Sequence, residues 1–377
     1  MTKDSHTTKQ PGFWRRDLLF RLFLVALGGV LASVFWIRIF DPSIFGLRPT
    51  VLNPKRPKEP APGVVVVHPL AKKWDFDAEK VPWEPVLPLA QISESAYSDG
   101  YELDTTLKRL GLTRVDEFPL GTMYAYVASN DQTVVVAFRG TNQDELRDWL
   151  IDARILSDAV EHGRIHRGFY RSTQDLLKGI LAAVKEHGGD KKLVWVTGHS
   201  LGGAMALVFT YECLVNGGVE PVGLVTFGQP LVVNGELAQF LNSALKGRYL
   251  RFVHGGDLVP RVFPTFSHCG NLVWFTNDTY VFRRPEMIAR AAKAGEPAPP
   301  LEYSDAPRPM TDAEFEDLQR RLSAQTRRPR RERSNAPIQP AQAPAFLEDH
   351  FMTGYIHWIV TFGDRESASP PGPVGSR

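Results

Sequence analysis

Two patterns of apolar and polar positions recur along most of the chain. Short runs rich in Val, Phe, Trp and Thr have the length and composition of buried strands, and apolar positions three or four residues apart predict amphipathic helices. Strands are predicted over 122–128, 133–138, 193–197, 222–227 and 249–253, and helices over 89–97, 169–186, 203–215 and 237–245. This alternation over short connections predicts an α/β fold, with a mostly parallel central sheet covered by helices on both faces.

A longer apolar stretch occupies residues 18–40, and its charged residues, Arg21 and Arg38, lie near its two ends. It reaches the roughly 20 residues that a membrane-spanning helix needs, so we expect a single-pass transmembrane anchor. A cleaved signal peptide is the alternative, because Arg15 and Arg16 begin a segment like a twin-arginine signal, although no A-x-A site follows. Basic residues flank both ends almost equally, so the positive-inside rule leaves the side of the membrane undecided.

Composition divides the rest of the chain into segments. The predicted organisation is an N-terminal tail (1–17), the anchor (18–40), a proline-rich linker (41–85), a globular domain (86–363) with a variable insertion at about 286–343, and a disordered tail (364–377). The insertion is rich in proline and arginine, and Thr311 with Glu314 matches a capping box, which predicts one short helix inside it.

Composition also narrows the classes of function. The net charge of the 377 residues is only +2, so the protein has no strong overall positive electrostatic field that would favour binding to a nucleic acid. Cys213 and Cys269 are the two cysteines, and without paired CxxC spacing a structural zinc site is not expected. We expect two buried free thiols, with a single disulfide as the alternative. The oligomeric state is left open.

The sequence 198–202 reads Gly-His-Ser-Leu-Gly and matches the G-x-S-x-G pattern. It lies between a predicted strand and a predicted helix, where a serine sits on a sharp turn with its hydroxyl exposed at the edge of the sheet. At a helix N-terminus, free backbone N–H groups and the helix dipole favour a developing oxyanion. Ser200 is therefore the candidate nucleophile, and a chance glycine-rich turn is the competing interpretation.

Two backbone amides are candidates for the oxyanion hole. Leu201 follows the candidate nucleophile, and Thr141 follows the strand that ends in Phe-Arg-Gly. Their N–H groups, with the Thr141 hydroxyl as a third donor, would stabilise a tetrahedral intermediate by several kcal/mol. Taken by itself, the segment around Thr141 would favour an ordinary turn at the end of a strand, and the neighbouring G-x-S-x-G pattern is what favours an oxyanion hole.

A serine hydroxyl needs a base, and the base needs an orienting acid. In this fold class the chain order is Ser, then Asp or Glu, then His. Asp257 follows the strand predicted over 249–253 and is the candidate acid, with Asp278 as the alternative. Spacing alone does not choose between His268 and His350 as the base.

Two other histidines are less suited to act as the base. His254 lies in the same loop as Asp257 and is badly placed to reach across to Ser200. His357 falls in a helix-like apolar run, where we expect it to be packed.

The stretches 89–275 and 349–355 together resemble the class 3 lipase family. The matching segments are 138–141, 148–149, 166–169, 198–203, 226–230, 257–260, His268, and 349–350 with Tyr355. The resemblance implies an α/β-hydrolase fold, a triad of Ser200, Asp257 and His350, and an oxyanion hole of Thr141 and Leu201. In the family, the position that corresponds to His268 is not catalytic. The resemblance therefore favours His350 as the base, and His268 is kept as the alternative.

The resemblance also implies that residues 142–156 form a lid, whose Leu146, Trp149, Leu150 and Ile151 would face a lipid or pack onto the core. The expected function is that of a membrane-anchored serine hydrolase that cleaves carboxylic esters of lipids, as a triacylglycerol lipase, phospholipase or esterase, without a metal or cofactor. An acyltransferase with the same triad and a catalytically silent binding module are the alternatives.

Overall fold

The computed structural model describes residues 69–74, 80–98, 100–276, 279–285, 307–325 and 345–368. The strands are β1 (Arg114–Leu120), β2 (Met123–Ser129), β3 (Thr133–Arg139), β4 (Ser157–Val160), β5 (Gly163–His166), β6 (Leu193–His199), β7 (Pro221–Phe227), β8 (Tyr249–His254), β9 (Asn271–Phe275) and β10 (Tyr280–Arg283). The α-helices are α1 (Trp83–Ser95), α2 (Gly100–Arg109), α3 (Gln143–Asp152), α4 (Arg167–Glu186), α5 (Leu201–Asn216), α6 (Gly235–Leu245), α7 (Asp312–Gln325) and α8 (Met352–Ala368). Short 3-10 helices cover Val259–Arg261 and Ala345–His350.

The central sheet has the strand order β1-β2-β3-β6-β7-β8-β9-β10 within the described part of the chain. Its middle pairs, from β3 to β9, are parallel, whereas β1, β2 and β10 add antiparallel edges. The five strands predicted from the apolar pattern are all present, and the mostly parallel α/β architecture is confirmed. The carboxyl ends of the parallel strands meet at one edge of the sheet, which is where ligand sites form in such folds.

Successive strand residues face opposite sides of the sheet and divide the core into two apolar layers. Val134 and Val136 of β3 join the layer that α4, α5 and α6 cover. Val135 and Ala137 join the layer that α1, α2 and α8 cover. The near-continuous apolar composition of these strands thus reflects burial on both faces, as expected for parallel strands.

Packing begins earlier than the predicted boundary at residue 86. Leu70, within the predicted linker, is fully buried, and its carbonyl accepts hydrogen bonds from Thr133 Oγ1 and Trp195 Nε1, each at 3.0 Å. Helix α1 begins at Trp83, before the predicted start at 89. Pro85 lies in the first turn, where a missing N–H is tolerated, whereas Pro88 lies inside the helix.

The predicted anchor, residues 18–40, lies outside the described residues, as do residues 1–17. Within the described segments, none of the helices combines the length and the apolar composition needed to cross a bilayer.

The C-terminal helix and the two cysteines test smaller predictions. His357 lies in α8, as the helix-like pattern indicates, but its side chain is exposed, so the expectation that it is packed was wrong. The apolar residues around it, such as Tyr355 and Ile359, occupy the buried face instead. Cys213 and Cys269 are buried free thiols, which confirms that prediction over the alternative of a disulfide.

Part of the insertion is a packed helix. The capping box at the start of α7 is confirmed: the Thr311 N–H donates to Glu314 Oε2 (2.7 Å), and the Glu314 N–H donates to Thr311 Oγ1 (3.3 Å). Phe315, Leu318 and Leu322 are buried in the layer on the α5 side of the sheet. This helix therefore contributes to the same core as the strands.

His166 supplies a test of stability against pH. Its ring lies among those of Phe169, Phe263 and Phe266, and this burial lowers its pKa from 6.5 to about 4. Between these values the unfolded chain binds more protons than the folded one, so the contribution of His166 to stability is lost as pH falls from about 6.5 towards 4. In His166→Leu, thermal melts across this range should show a shallower decrease of Tm than in the wild type. Equal slopes would contradict the assignment.

Candidate active site

The turn at Ser200 joins β6 to α5 with a backbone conformation that is rare for serine. Its φ is 57° and its ψ is −128°, a strained region that persists only when surrounding contacts enforce it. The Ser200 N–H donates to the Phe227 carbonyl of the neighbouring strand at 2.9 Å. The sequence prediction of a sharp strand-turn-helix connection at this position matches the observed geometry.

Close backbone contacts around the turn explain its glycines. A Cβ on Gly198 would lie 2.5 Å from the carbonyl carbon and oxygen of Gly202. A Cβ on Gly202 would overlap the Phe138 carbonyl oxygen at the end of β3 and would lie 2.7 Å from the Gly140 nitrogen. Helix α5 and the end of β3 can therefore approach each other only because these positions lack side chains.

The structure brings Ser200, His350 and Asp257 together from three distant parts of the chain. His350 Nε2 lies 2.9 Å from Ser200 Oγ, and His350 Nδ1 lies 2.9 and 3.0 Å from the two oxygens of Asp257. All three side chains are buried. Since an ionised carboxylate can only accept, Nδ1 carries a proton and Nε2 is free to accept the Ser200 O–H.

Two further donors hold the Asp257 carboxylate. The Tyr355 hydroxyl donates to Oδ2 at 2.6 Å, and the Val259 N–H donates to Oδ1 at 2.9 Å. Burial, with the carboxylate beside it, raises the pKa of Tyr355 well above 10, so this hydroxyl keeps its proton at neutral pH. The role of Tyr355 has no local signal in the sequence, because its contact with Asp257 spans 98 positions.

The alternative residues lie elsewhere. His268 Nε2 donates to the Pro260 carbonyl at 2.6 Å, and burial lowers its pKa well below 6.5; it has no contact with Ser200 among the described hydrogen bonds. Asp278 falls outside the described residues. His254, in the loop of Asp257 as expected, bonds to the backbone of Asp349 and not to Ser200.

The two candidate oxyanion donors lie on backbone segments that touch. Leu201 is the first residue of α5, so its N–H has no partner within the helix. Thr141 follows Gly140, whose N–H donates to the Tyr97 hydroxyl at 3.1 Å. Tyr97 thereby fixes the end of β3 beside the helix. No sequence pattern indicated this role of Tyr97, because its partner lies 43 positions away.

Helix α3 occupies the segment that the resemblance identified as a lid, and it packs onto the core. Leu146 and Leu150 are buried, and the Trp149 ring contacts those of Phe169 and Phe263. Of the two alternatives for these side chains, packing is the one observed. With Ser200 only 1% exposed and His350 only 3% exposed, a substrate can reach them only after some covering group moves.

The insertion helix α7 fastens the end of α3. Gln319 Nε2 lies 3.0, 3.2 and 3.1 Å from the carbonyl oxygens of Leu150, Ile151 and Ala153. The last carbonyls of a helix have no intrahelical partner, so this amide acts as a C-terminal cap supplied by another segment. Arg147 returns a bond to α7 through the Leu322 carbonyl at 2.9 Å.

We expect Gln319→Ala to loosen α3, because its terminal carbonyls lose their donor. Hydrogen exchange of the backbone amides between residues 147 and 153 should become faster, while exchange in β6 stays unchanged. Gln239→Ala is a matched control, since Gln239 is an exposed residue of α6. If exchange in α3 is the same in both variants, the cap does not hold the helix.

The close contact at the turn gives a second test. Gly202→Ala should destabilise the fold by about 1–3 kcal/mol, since a Cβ there meets rigid backbone. Gly100→Ala is the control, because a Cβ at that exposed helical position meets no atom within 4 Å. Chemical denaturation compares the two, and equal stability of both variants would contradict the proposed contact.

Comparison with known proteins adds an independent line of observation. The sequence model of the family described as "Lipase (class 3)" matches residues 135–267, a range that contains Thr141, Ser200 and Asp257 and ends before His350. The triacylglycerol lipase OBL1 of Ricinus communis is 38% identical over 135 residues, covering 33% of this chain and 25% of its own length.

Two fungal relatives match at similar levels. The secreted mono- and diacylglycerol lipase LIP1 of Malassezia globosa is 31% identical over 157 residues (37% of this chain, 51% of its own), and the lipase of Rhizomucor miehei is 31% identical over 170 residues (41% and 46%). The chain therefore spans about half or less of the length of these relatives. The matched segment carries the strained serine turn and the acid at the end of β8, and over residues 135–267 the chain is similar to the class 3 lipase family.

Proposed function

We infer that this protein is a membrane-anchored serine hydrolase that cleaves carboxylic esters of lipids. The observation that carries the proposal is the continuous hydrogen-bonded path from Ser200 Oγ through the His350 imidazole to the Asp257 carboxylate. Each atom in this path has the role that ester hydrolysis through an acyl-enzyme requires.

The first half of the reaction forms the acyl-enzyme. His350 Nε2 takes the proton of Ser200 while Oγ attacks the ester carbonyl, and Asp257 stabilises the imidazolium that results. The N–H groups of Thr141 and Leu201 stabilise the negative charge on the former carbonyl oxygen. The imidazolium then gives its proton to the leaving alcohol, and the carbonyl is restored on an acylated Ser200.

The second half repeats these steps with water. His350 removes a proton from water, the hydroxide adds to the acyl carbonyl, and collapse of the intermediate releases the acid and restores Ser200. In both halves of the reaction His350 transfers the protons, and the backbone N–H groups of Thr141 and Leu201 stabilise the negative charge.

Acylglycerols are the proposed substrates. The names of two relatives, a triacylglycerol lipase and a mono- and diacylglycerol lipase, support this class. The apolar stretch of residues 18–40, proposed as a single-pass anchor, would hold the site near a bilayer, so phospholipids are a second substrate class to be compared.

The nucleophile is tested on the full chain in detergent micelles. A fluorophosphonate probe should label the wild type and the control Ser243→Ala, an exposed serine in α6, but not Ser200→Ala. Hydrolysis of di- and triacylglycerol emulsions should fall at least about a thousandfold in Ser200→Ala. Labelling that persists in this variant would refute the assignment of the nucleophile.

Product analysis separates the alternatives. Release of free fatty acid with water as acceptor supports the hydrolase, whereas acyl transfer to an added alcohol in excess of hydrolysis would indicate an acyltransferase. Labelling without turnover of any acylglycerol, phospholipid or short-chain ester would indicate a binding module.

The anchor is tested separately. Membranes that contain the full chain should retain it through extraction with alkaline carbonate, and mass spectrometry of the retained protein should find the residues before position 18. Release into the supernatant, or an N-terminus beyond residue 40, would contradict an uncleaved anchor.

A further inference from the structure

The base His350 sits at the end of a short 3-10 helix, Ala345–His350, just before α8. The carbonyls at the end of such a helix have no partner within it. Two imidazoles supply donors to two consecutive carbonyls here. His199 Nε2 donates to the His350 carbonyl at 2.8 Å, and His254 Nδ1 donates to the Asp349 carbonyl at 3.0 Å.

The protonation of His199 is fixed by its surroundings. A backbone carbonyl only accepts, so Nε2 carries the proton. The other nitrogen, Nδ1, lies 3.0 Å from the Tyr97 hydroxyl. Burial, and secondly the neighbouring His350, lower the pKa of His199 well below 6.5, so the ring is neutral. Its Nδ1 can then only accept, and it shares the one Tyr97 O–H with the His199 carbonyl, which lies 3.1 Å from the hydroxyl oxygen.

The second imidazole is fixed in the opposite tautomer. The indole N–H of Trp358 donates to His254 Nε2 at 3.1 Å, and since an indole nitrogen can only donate, Nε2 must be the acceptor. The proton therefore resides on Nδ1, facing the Asp349 carbonyl. The fit is tight as well, because a Cβ on Gly354 would lie 2.8 Å from His254 Cε1.

The Asp349 side chain adds a tie to the loop of the acid. Its Oδ2 accepts the Gly256 N–H at 2.8 Å, one residue before Asp257. The turn that carries the base is thus bonded to both of the segments with which His350 must align, the serine turn through His199 and the acid loop through His254 and Gly256.

These contacts matter because His350 must be aligned with both Ser200 and Asp257. A displacement of about 1 Å can cost on the order of a hundredfold in rate. Contacts that fix the carbonyls of residues 349 and 350 also fix the Cα from which the imidazole reaches Ser200.

We propose that His199 and His254 are positioning residues of the catalytic base, each acting through one N–H on the backbone that carries His350. The inference rests on the proposed ester hydrolysis. Neither ring takes a proton from the substrate or gives one to it; their effect is on the placement of His350.

Asparagine and glutamine substitutions should affect kcat in opposite ways at the two positions, because the two histidines donate through different nitrogens. The side-chain nitrogen of glutamine can occupy the place of Nε2, and that of asparagine the place of Nδ1. At position 199, His199→Gln should keep kcat within about threefold of the wild type and His199→Asn should lose at least about tenfold. At position 254 the order should reverse, with His254→Asn retaining activity and His254→Gln losing it.

The measurement is kcat and KM on a soluble short-chain ester, with Tm recorded for every variant. KM should stay within about twofold throughout, because the substrate contacts are unchanged. Trp358→Phe should lower kcat about threefold and should add little to His254→Gln, since both act through the same ring. His357→Leu, the exposed histidine beside Trp358, is the control and should match the wild type.

The outcomes distinguish a failure of the proposed ester hydrolysis from a failure of the positioning role. A wild type that hydrolyses no ester overturns the proposed function. An active wild type whose amide variants show the same order at both positions, or no loss in any of them, overturns the positioning role. Equal losses for Asn and Gln accompanied by equal falls in Tm would assign the rings to packing and also overturn it.

Discussion

The imidazole of His350 lies between two hydrogen bonds, one to Ser200 and one to Asp257, and the arrangement of the site depends on keeping both. Each bond joins segments more than 90 positions apart in sequence, so neither can form until the sheet is assembled. The parallel strands solve the first part of this problem, because the carboxyl ends of β6 and β8 bring the serine turn and the acid loop to the same edge. The base, which is the last residue of a separate 3-10 helix, must be brought to that edge by other contacts.

Those contacts form a polar network around the base. Tyr355 and the Val259 N–H donate to Asp257, whose carboxylate also accepts the Nδ1 proton of His350. His199 donates to the carbonyl of His350 and His254 to the carbonyl of Asp349, so the backbone is held on both sides of the His350 Cα. In a medium of low dielectric constant, every unsatisfied group in such a network would be costly, so satisfied partners fix one arrangement. This is consistent with Ser200 being held in a strained conformation.

The insertion has a part in the fold that its composition does not suggest. Its proline- and arginine-rich sequence predicts variable structure with one helix, and that helix indeed begins at the capping box of Thr311 and Glu314. The structure adds that α7 lies against α3, with Gln319 at the open end of that helix. The segment identified as a lid is therefore restrained by a part of the chain more than 160 positions away.

The sequence by itself determined the features whose cause is local. Apolar runs bounded by turns specified the strands, the spacing of apolar residues specified the helices, and the glycines around Ser200 specified a close turn, because each pattern acts within a few residues. Resemblance to a family was needed to prefer His350 over His268. Both follow Asp257, and their positions in the sequence do not show which of them lies closer to Ser200. Only the tertiary structure decided the partners of these groups: Tyr355 on Asp257, Tyr97 on Gly140, His254 on the turn of the base, and the exposed side of α8 that carries His357. The physical reason is that a hydrogen bond or a buried face between distant segments depends on how the whole chain packs, and no single stretch of sequence contains that information.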